Sequence, residues 1–300
     1  MFLAAIFLAG AALSPLVYGF VDITAKAFPV WRVVADKPFP QYVARTILIL
    51  ALLGTWQMRH LLGKASMADL GLRWGPDWHS EIWRAFALAL AVLALLWSVS
   101  LLAGHRHWRE PFSAGKLANT LIISALGAAA VATIEEIVFR GGLFGALQSG
   151  QTWRLPLVLS SLIFAVVHFL QSPRVSEPVT WQSGFKILCA MFSGGTGVNR
   201  LLQFVNLTLC GVLLAWAYRR TGSLVLSIGL HAGWIFAVKV MNAVTVAGED
   251  SPFWGTRRVI DGWAATLALL ILGALVLRLL RFPRGKTLHV HNTAETQAMG

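Results

Sequence analysis

Eight apolar runs constrain the fold of this chain more than any other feature of its sequence. A membrane-spanning helix needs about 20 apolar residues, or fewer where neighbouring helices cover its ends. The runs lie at about 1–20, 42–58, 82–104, 117–139, 155–171, 201–218, 223–241 and 263–280. The sequence therefore predicts an all-α polytopic membrane protein, a helix bundle with about eight transmembrane helices.

The composition supports membrane insertion. Of the 300 residues, 57% are hydrophobic and 13% are charged, whereas soluble domains carry about 25% charged residues. The net charge of +12 is typical of polytopic proteins whose basic loops face the cytoplasm and anionic lipid. The sequence has no compact basic patch with interleaved aromatic residues, so we do not expect a nucleic-acid partner. We expect a multi-pass protein in a lipid bilayer, and the residue usage is compatible with a bacterial inner membrane.

The chain divides into three predicted regions. Residues 1–116 hold N-terminal transmembrane helices and loops, 117–241 a core, and 242–300 the last transmembrane helix with a polar tail. The N-terminus lacks a basic segment and is predicted to be a first span rather than a cleaved signal. A short apolar stretch at 185–192 indicates an interfacial or re-entrant piece. Basic residues divide evenly between the two sides and leave the membrane orientation open.

Polar residues inside the apolar runs indicate a functional site. Of 13 acidic residues, only Glu135 and Glu136 belong to a predicted span, and Arg140 follows them. Two histidines, His168 and His231, lie inside other apolar runs. Each ionisable residue in a span costs about 2.5–3.5 kcal/mol on insertion scales. We expect these side chains to meet in one polar cavity, with polar bonding between helices as the alternative for each residue.

Helical geometry separates the two glutamates. Residues i and i+4 share a helix face, whereas adjacent residues point about 100° apart. Glu136 is therefore predicted to pair with Arg140. Four residues after Glu135 comes Phe139, which leaves Glu135 as the less compensated carboxylate and the candidate general base.

One carboxylate with two imidazoles allows more than one chemistry. Glu135 could activate water while a histidine stabilises the oxyanion, which needs no cofactor. Alternatively, Glu135, His168 and His231 could bind zinc. A non-enzymatic transporter or assembly scaffold could use the same cluster to relay protons or bind partners. The zinc motif HExxH and the aspartyl signature GxGD are absent, and no glycine marks a serine nucleophile at Ser160 or Ser161.

Three motifs occur in order along the core. "EEIVFR" at 135–140 matches EExxxR, "FAVVH" at 164–168 matches FxxxH, and "HAGWI" begins at His231. This set resembles the CAAX protease and bacteriocin-processing family, which are glutamate-dependent intramembrane endopeptidases. The upstream "DLGLR" at 69–73 is similar to a segment of bacterial members. The resemblance covers about 117–240.

The resemblance implies roles for individual residues. Glu135 would activate water, His168 would assist the water or the tetrahedral intermediate, and His231 would help form the oxyanion pocket. The supporting residues are Glu136 and Arg140, which would shape the site, and Phe164, which would form its wall.

One position departs from the family pattern. The third motif is usually HxxxN, but Ile235 stands four residues after His231. Asn206 on the preceding helix is the candidate replacement for the missing amide. The implied substrate is a membrane-bound or lipidated protein or peptide.

Overall fold

The computed structural model describes residues 2–61, 63, 66–109, 113–148, 152–169, 178–191 and 197–279. Within these ranges the chain is mostly helical. The α-helices are α1 Phe2–Ala27, α2 Arg32–Ala35, α3 Phe39–Leu61, α4 Trp78–Leu102, α5 Ala114–Glu136, α6 Gly145–Leu147, α7 Arg154–Phe169, α8 Ser183–Met191, α9 Val198–Thr221, α10 Val225–Val244 and α11 Trp263–Leu279. A 3₁₀ turn spans Pro29–Trp31, and a π-helical segment spans Ile137–Phe144. Strands β1 (Arg106–Trp108) and β2 (Thr245–Ala247) pair antiparallel.

Each of the eight predicted apolar runs overlaps one of the longer helices over most of its length, which confirms the all-α membrane bundle. Five helical stretches of the described chain are long and apolar enough to cross a bilayer. They are Phe2–Ala27, Trp78–Leu102, Ala114–Leu147, Val198–Thr221 and Val225–Val244. The apolar helices α7 and α11 are shorter, and α3 is outside this set. His289 and His291 in the polar tail lie outside the described residues.

Two elements differ from their predicted bounds. Helix α1 continues to Ala27, so Asp22 lies in the helix and pairs with Lys26 on its exposed side, at 2.8 Å. The short apolar stretch at 185–192 forms the nine-residue α8, which packs against α1. Gly184 allows this contact because a side chain there would collide with the carbonyl oxygen of Ala11.

Helix α10 is the central helix of the core and packs against α4, α5 and α9. Gly229 and Gly233 face α4, where a Cβ would come within 2.5 Å of the Ile82 oxygen and 2.6 Å of the Phe86 oxygen, respectively. Glycines four residues apart allow two helix backbones to approach closely. The close contact with α4 fixes the position of α10 and of His231 on it.

Helices α9 and α10 form an antiparallel pair. Their short link contains Gly222, whose φ of +65° is the left-handed conformation that glycine adopts easily. Ser227 on α10 donates a hydrogen bond to the carbonyl oxygen of Leu214 on α9, at 2.9 Å. The link thus folds α10 back along α9.

The segment "DLGLR" at 69–73 packs on the core. Leu70 is fully buried, and its carbonyl oxygen lies where a side chain at Gly141 would be, 2.6 Å from the ideal Cβ position. The amide of Leu224 donates to the carbonyl oxygen of Gly71, at 2.8 Å. This segment therefore connects the π-helical segment to the start of α10.

Candidate active site

Helix α5 continues into the π-helical segment without a break, and the EExxxR residues lie at this junction. A π-helical turn widens a helix and occurs often at functional sites. It places Glu135 and Glu136 at the end of α5 and Arg140 one turn later, inside the bundle. The sequence patterns do not predict this change of helical geometry.

Glu136 forms the predicted ion pair. Its Oε1 accepts hydrogen bonds from Arg140 Nη1 at 2.8 Å and from His231 Nδ1 at 2.9 Å. The side chains of Glu136 and Arg140 are 0% and 2% exposed. Arg140 Nη2 also donates to the carbonyl oxygen of Gly211 on α9, at 3.3 Å. Glu136 therefore links α5 with α10, and Arg140 extends the link to α9.

Glu135 faces the two intramembrane imidazoles. Its Oε2 lies 3.0 Å from His168 Nε2 and 3.6 Å from His231 Nε2. The three side chains come from α5, α7 and α10, which are distant in sequence. The predicted meeting of the glutamate and both histidines is present in the structure.

Hydrogen bonds define which ring nitrogens carry hydrogen. His168 Nδ1 lies 2.9 Å from the carbonyl oxygen of Phe164, and His231 Nδ1 faces a Glu136 oxygen. Carbonyl and carboxylate oxygens only accept hydrogen bonds, so each Nδ1 must carry the hydrogen. In a neutral imidazole the Nε2 is then a bare acceptor. The 3.0 Å contact between His168 Nε2 and Glu135 Oε2 therefore requires one further proton.

The net charge of the cluster also requires this further proton. Two carboxylates and one guanidinium, all removed from bulk water, leave one uncompensated negative charge. An unpaired buried charge is very costly. One proton held between Glu135 and the imidazoles makes the cluster neutral, and a shared proton of this kind is available for acid–base chemistry.

Phe164 forms one wall of the cluster. The ring is 2% exposed and lies against His168, with centroids 4.0 Å apart and planes inclined by 33°. Phe139 meets it edge-on at 5.1 Å, and the Arg140 guanidinium lies 4.5 Å from its centre. The ring therefore restricts the orientation of both His168 and Arg140.

Two cavities meet at His168. The first, here called the α10 cavity, has a volume of about 220 Å³ and is lined mainly by α7, α9 and α10, including His231, Ile235 and Lys239. The second, the α3 cavity, has a volume of about 260 Å³ and is lined mainly by α1, α3 and α5, including Glu135. A peptide bond between the two cavities would lie beside Glu135 and both imidazoles.

Asn206 takes part in a different network. Its amide nitrogen donates to the carbonyl oxygens of Ile260 and Gly262, at 2.9 and 3.1 Å, and its oxygen accepts from Thr266 Oγ1 at 2.7 Å. Both donor hydrogens thus hold the chain before α11. In this arrangement Asn206 has no hydrogen left for a substrate oxyanion, and Ile235 presents only apolar surface to the α10 cavity.

The serine and zinc alternatives involve other features of the structure. The hydroxyls of Ser160 and Ser161 both donate to the carbonyl oxygen of Leu157, one turn earlier in α7. Within the described part of the chain, no group of three or more His, Cys, Asp or Glu side chains is arranged to hold a metal ion.

Lys239 also lies inside the seventh predicted run, where the sequence patterns single out only His231. The spacing could have indicated that Lys239 shares a helix face with His231, because Ile235 and Lys239 follow His231 by four and eight residues. All three line the α10 cavity.

Comparison with known proteins agrees with the motifs. Residues 116–237 match the model of a family described as type II CAAX prenyl endopeptidase Rce1-like, which confirms the resemblance for this segment. The match contains all three motifs. No curated protein and no solved structure gives a significant match. The family consists of proteases that act on prenylated or membrane-associated substrates.

Proposed function

We propose, from the premise that residues 116–237 are an Rce1-like domain of the CAAX protease and bacteriocin-processing family, that this multi-pass membrane protein is a glutamic-type intramembrane endopeptidase. The observation that carries the proposal is the contact of Glu135 with His168 and His231, at 3.0 and 3.6 Å. The substrate is a prenylated or otherwise membrane-associated peptide. The proposed location is a bacterial inner membrane.

Glu135 acts as the general base. It takes a proton from water while the water oxygen attacks the scissile carbonyl carbon. A tetrahedral intermediate with a negatively charged oxygen results. When the C–N bond breaks, the proton held by Glu135 passes to the leaving nitrogen, which completes hydrolysis and restores the carboxylate.

His168 and His231 stabilise the intermediate. The imidazole that holds the shared proton donates a hydrogen bond through Nε2 to the developing oxyanion. A donor of this kind is worth about 10²–10³ in rate. With Ile235 in place of an amide, the two imidazoles carry this task without the side-chain amide of the usual third motif.

Glu136, Arg140 and Phe164 position the reacting groups. Glu136 accepts from His231 Nδ1 and thereby turns its Nε2 toward Glu135. Arg140 balances the charge of Glu136, and Phe164 supports the His168 ring. Their removal acts through the geometry and charge of the site rather than through direct loss of a reacting atom.

The proposed reaction needs no metal ion. A shared proton satisfies the contacts between Glu135 and the imidazoles, and both Nδ1 atoms are already used as donors. Metal analysis of the purified protein together with activity after chelation tests this point. Stoichiometric zinc, with loss of cleavage after its removal and recovery after its return, would favour the zinc-dependent alternative.

The proposed activity is tested with purified protein in lipid nanodiscs. A peptide with an S-farnesyl cysteine followed by three residues is incubated in ¹⁸O-labelled water, and the products are identified by mass spectrometry. We expect cleavage with ¹⁸O in the new carboxylate, abolished by Glu135→Gln. Glu81→Gln is the matched control, since Glu81 lies exposed in the first turn of α4. Cleavage that survives Glu135→Gln would contradict the proposal.

A further inference from the structure

A further cavity, here called the arginine cavity, lies at the end of the bundle where α7 begins and α9 ends. Its volume is about 510 Å³, and it is lined by Gln148, Thr152, Trp153, Arg154 and Arg219. None of these residues lines the α10 cavity or the α3 cavity. The arginine cavity is therefore separate from the proposed peptidase site.

Two cations face the arginine cavity without a compensating charge. The guanidinium groups of Arg154 and Arg219 lie 5.7 and 4.9 Å from the ring centre of Trp153, so one indole ring lies beside both of them. Within the part of the chain that the structure describes, neither guanidinium donates a hydrogen bond or forms an ion pair, and no carboxylate lines the cavity. Their N–H groups are therefore available to an anion.

The lining of the arginine cavity suits a phosphate group. A guanidinium donates two parallel hydrogen bonds to phosphate oxygens. Two like charges beside one cavity repel each other, and an anion between them turns this repulsion into attraction. Gln148 and Thr152 supply further side chains that can donate hydrogen bonds to phosphate oxygens.

An exposed apolar surface of α7 begins directly after Arg154. Leu155, Val158 and Leu159 are between 37% and 47% exposed, and their spacing places them on one helix face. Trp153 is exposed to a similar extent, and tryptophan is enriched at the level of lipid headgroups. A phospholipid has its parts in the same order, a phosphate followed by apolar chains, whereas a free phosphate ion has nothing to place on the apolar face.

We infer that the arginine cavity binds the phosphate headgroup of an anionic phospholipid. Arg154 and Arg219 bind the phosphate, and the acyl chains lie along the exposed face of α7. Because one arginine belongs to α7 and the other to α9, the bound lipid links the ends of these two helices. This site goes beyond the proposed peptidase function and does not depend on it.

Lipid binding is measured by native mass spectrometry of the protein in detergent micelles. The probes are phosphatidylglycerol and phosphatidylcholine with identical acyl chains. Two basic residues at a membrane surface give roughly a tenfold to thirtyfold preference for the anionic lipid, and we expect this ratio of dissociation constants for the wild type. Arg154→Gln combined with Arg219→Gln should reduce the ratio to about one. Replacement of both arginines by lysine should keep part of it, because the charge remains.

The matched control is Arg84→Gln combined with Arg220→Gln, which removes the same charge from two exposed arginines outside the cavity. It should preserve the preference for phosphatidylglycerol. An equal loss in this control would indicate general attraction to a basic surface and overturn the inference, as would equal affinities of the wild type for the two lipids. If the double glutamine variant does not fold, Arg219→Gln and its neighbour Arg220→Gln provide the same comparison with single changes.

Thermal unfolding in micelles distinguishes the lipid from a free anion. Phosphatidylglycerol should raise the unfolding midpoint of the wild type, because it binds the folded protein and links α7 with α9, and the rise should be absent from the double glutamine variant. Millimolar inorganic phosphate should leave the midpoint at its value in sodium chloride of equal ionic strength. An increase with phosphate as large as that with the lipid would show that the cavity takes the free ion and would overturn the lipid assignment.

Discussion

The buried pair of Glu136 and Arg140 makes a quantitative prediction about stability. Arg140→Met keeps the length of the side chain but leaves the Glu136 carboxylate, which is 0% exposed, with His231 as its remaining partner. Removing one partner of a buried ion pair costs about 3–5 kcal/mol of unfolding free energy. The bond to Gly211 and the contact with Phe164 are lost as well, so we expect the upper part of that range.

Removing both charges should cost less than the sum of the single changes. In Glu136→Gln with Arg140→Met, no uncompensated ion remains, and the Gln oxygen still accepts from His231. Replacement of a whole buried pair by neutral groups is often close to neutral in stability. We therefore expect the double variant to be no less stable than Arg140→Met alone, which gives a coupling free energy of about 2–4 kcal/mol.

The assay is unfolding in mixed micelles of dodecyl maltoside and sodium dodecyl sulfate, followed by circular dichroism. Lys26→Met serves as a control because it removes an exposed ion pair, and it should leave the midpoint unchanged. If the two single destabilisations simply add in the double variant, the pair is not coupled, and the reasoning about its buried charge is wrong.

Three further predictions concern packing and the oxyanion site. Phe164→Ala should lower the unfolding free energy by about 3–5 kcal/mol and reduce kcat/KM, since the ring supports His168; wild-type kcat/KM in this variant would contradict that support. Gly184→Ala should destabilise the protein by about 1–3 kcal/mol in the same unfolding assay, because a methyl group would collide with the Ala11 oxygen. Gly273→Ala is its control, with nothing within 4 Å, and equal effects would refute the packing argument. Ile235→Asn should raise the turnover of the farnesylated peptide by adding an amide to the α10 cavity, and unchanged or lower turnover would count against an incomplete oxyanion pocket.

Much of the architecture follows from hydrophobicity alone. The apolar runs predict the positions of the longer helices because lipid and helix contacts both demand apolar side chains over a fixed length. The ion pair of Glu136 with Arg140 follows from helical spacing. The meeting of Glu135 with His168 and His231 follows from the cost of leaving them apart in lipid.

Other features depend on contacts between distant segments. The π-helical turn after Glu136 is held by Leu70 and by Thr55, which meet Gly141 and Gly142, and neither partner is near them in sequence. The network of Asn206 depends on carbonyl oxygens at 260 and 262, which no pattern identifies. Division of the site into two cavities likewise arises only when α1 and α3 pack beside α5.

The rate of single-turnover peptide hydrolysis is the most direct test of whether Glu135 activates the attacking water. Wild-type protein, Glu135→Gln and the control Glu81→Gln are compared in nanodiscs, with protein in excess of the farnesylated peptide and the rate without protein subtracted. We expect Glu135→Gln to lower the rate by about 10² or more, as loss of a general base requires, while its unfolding midpoint and peptide affinity stay near those of the wild type. A Glu135→Gln variant that hydrolyses the peptide at the rate of Glu81→Gln would show that Glu135 is not the general base.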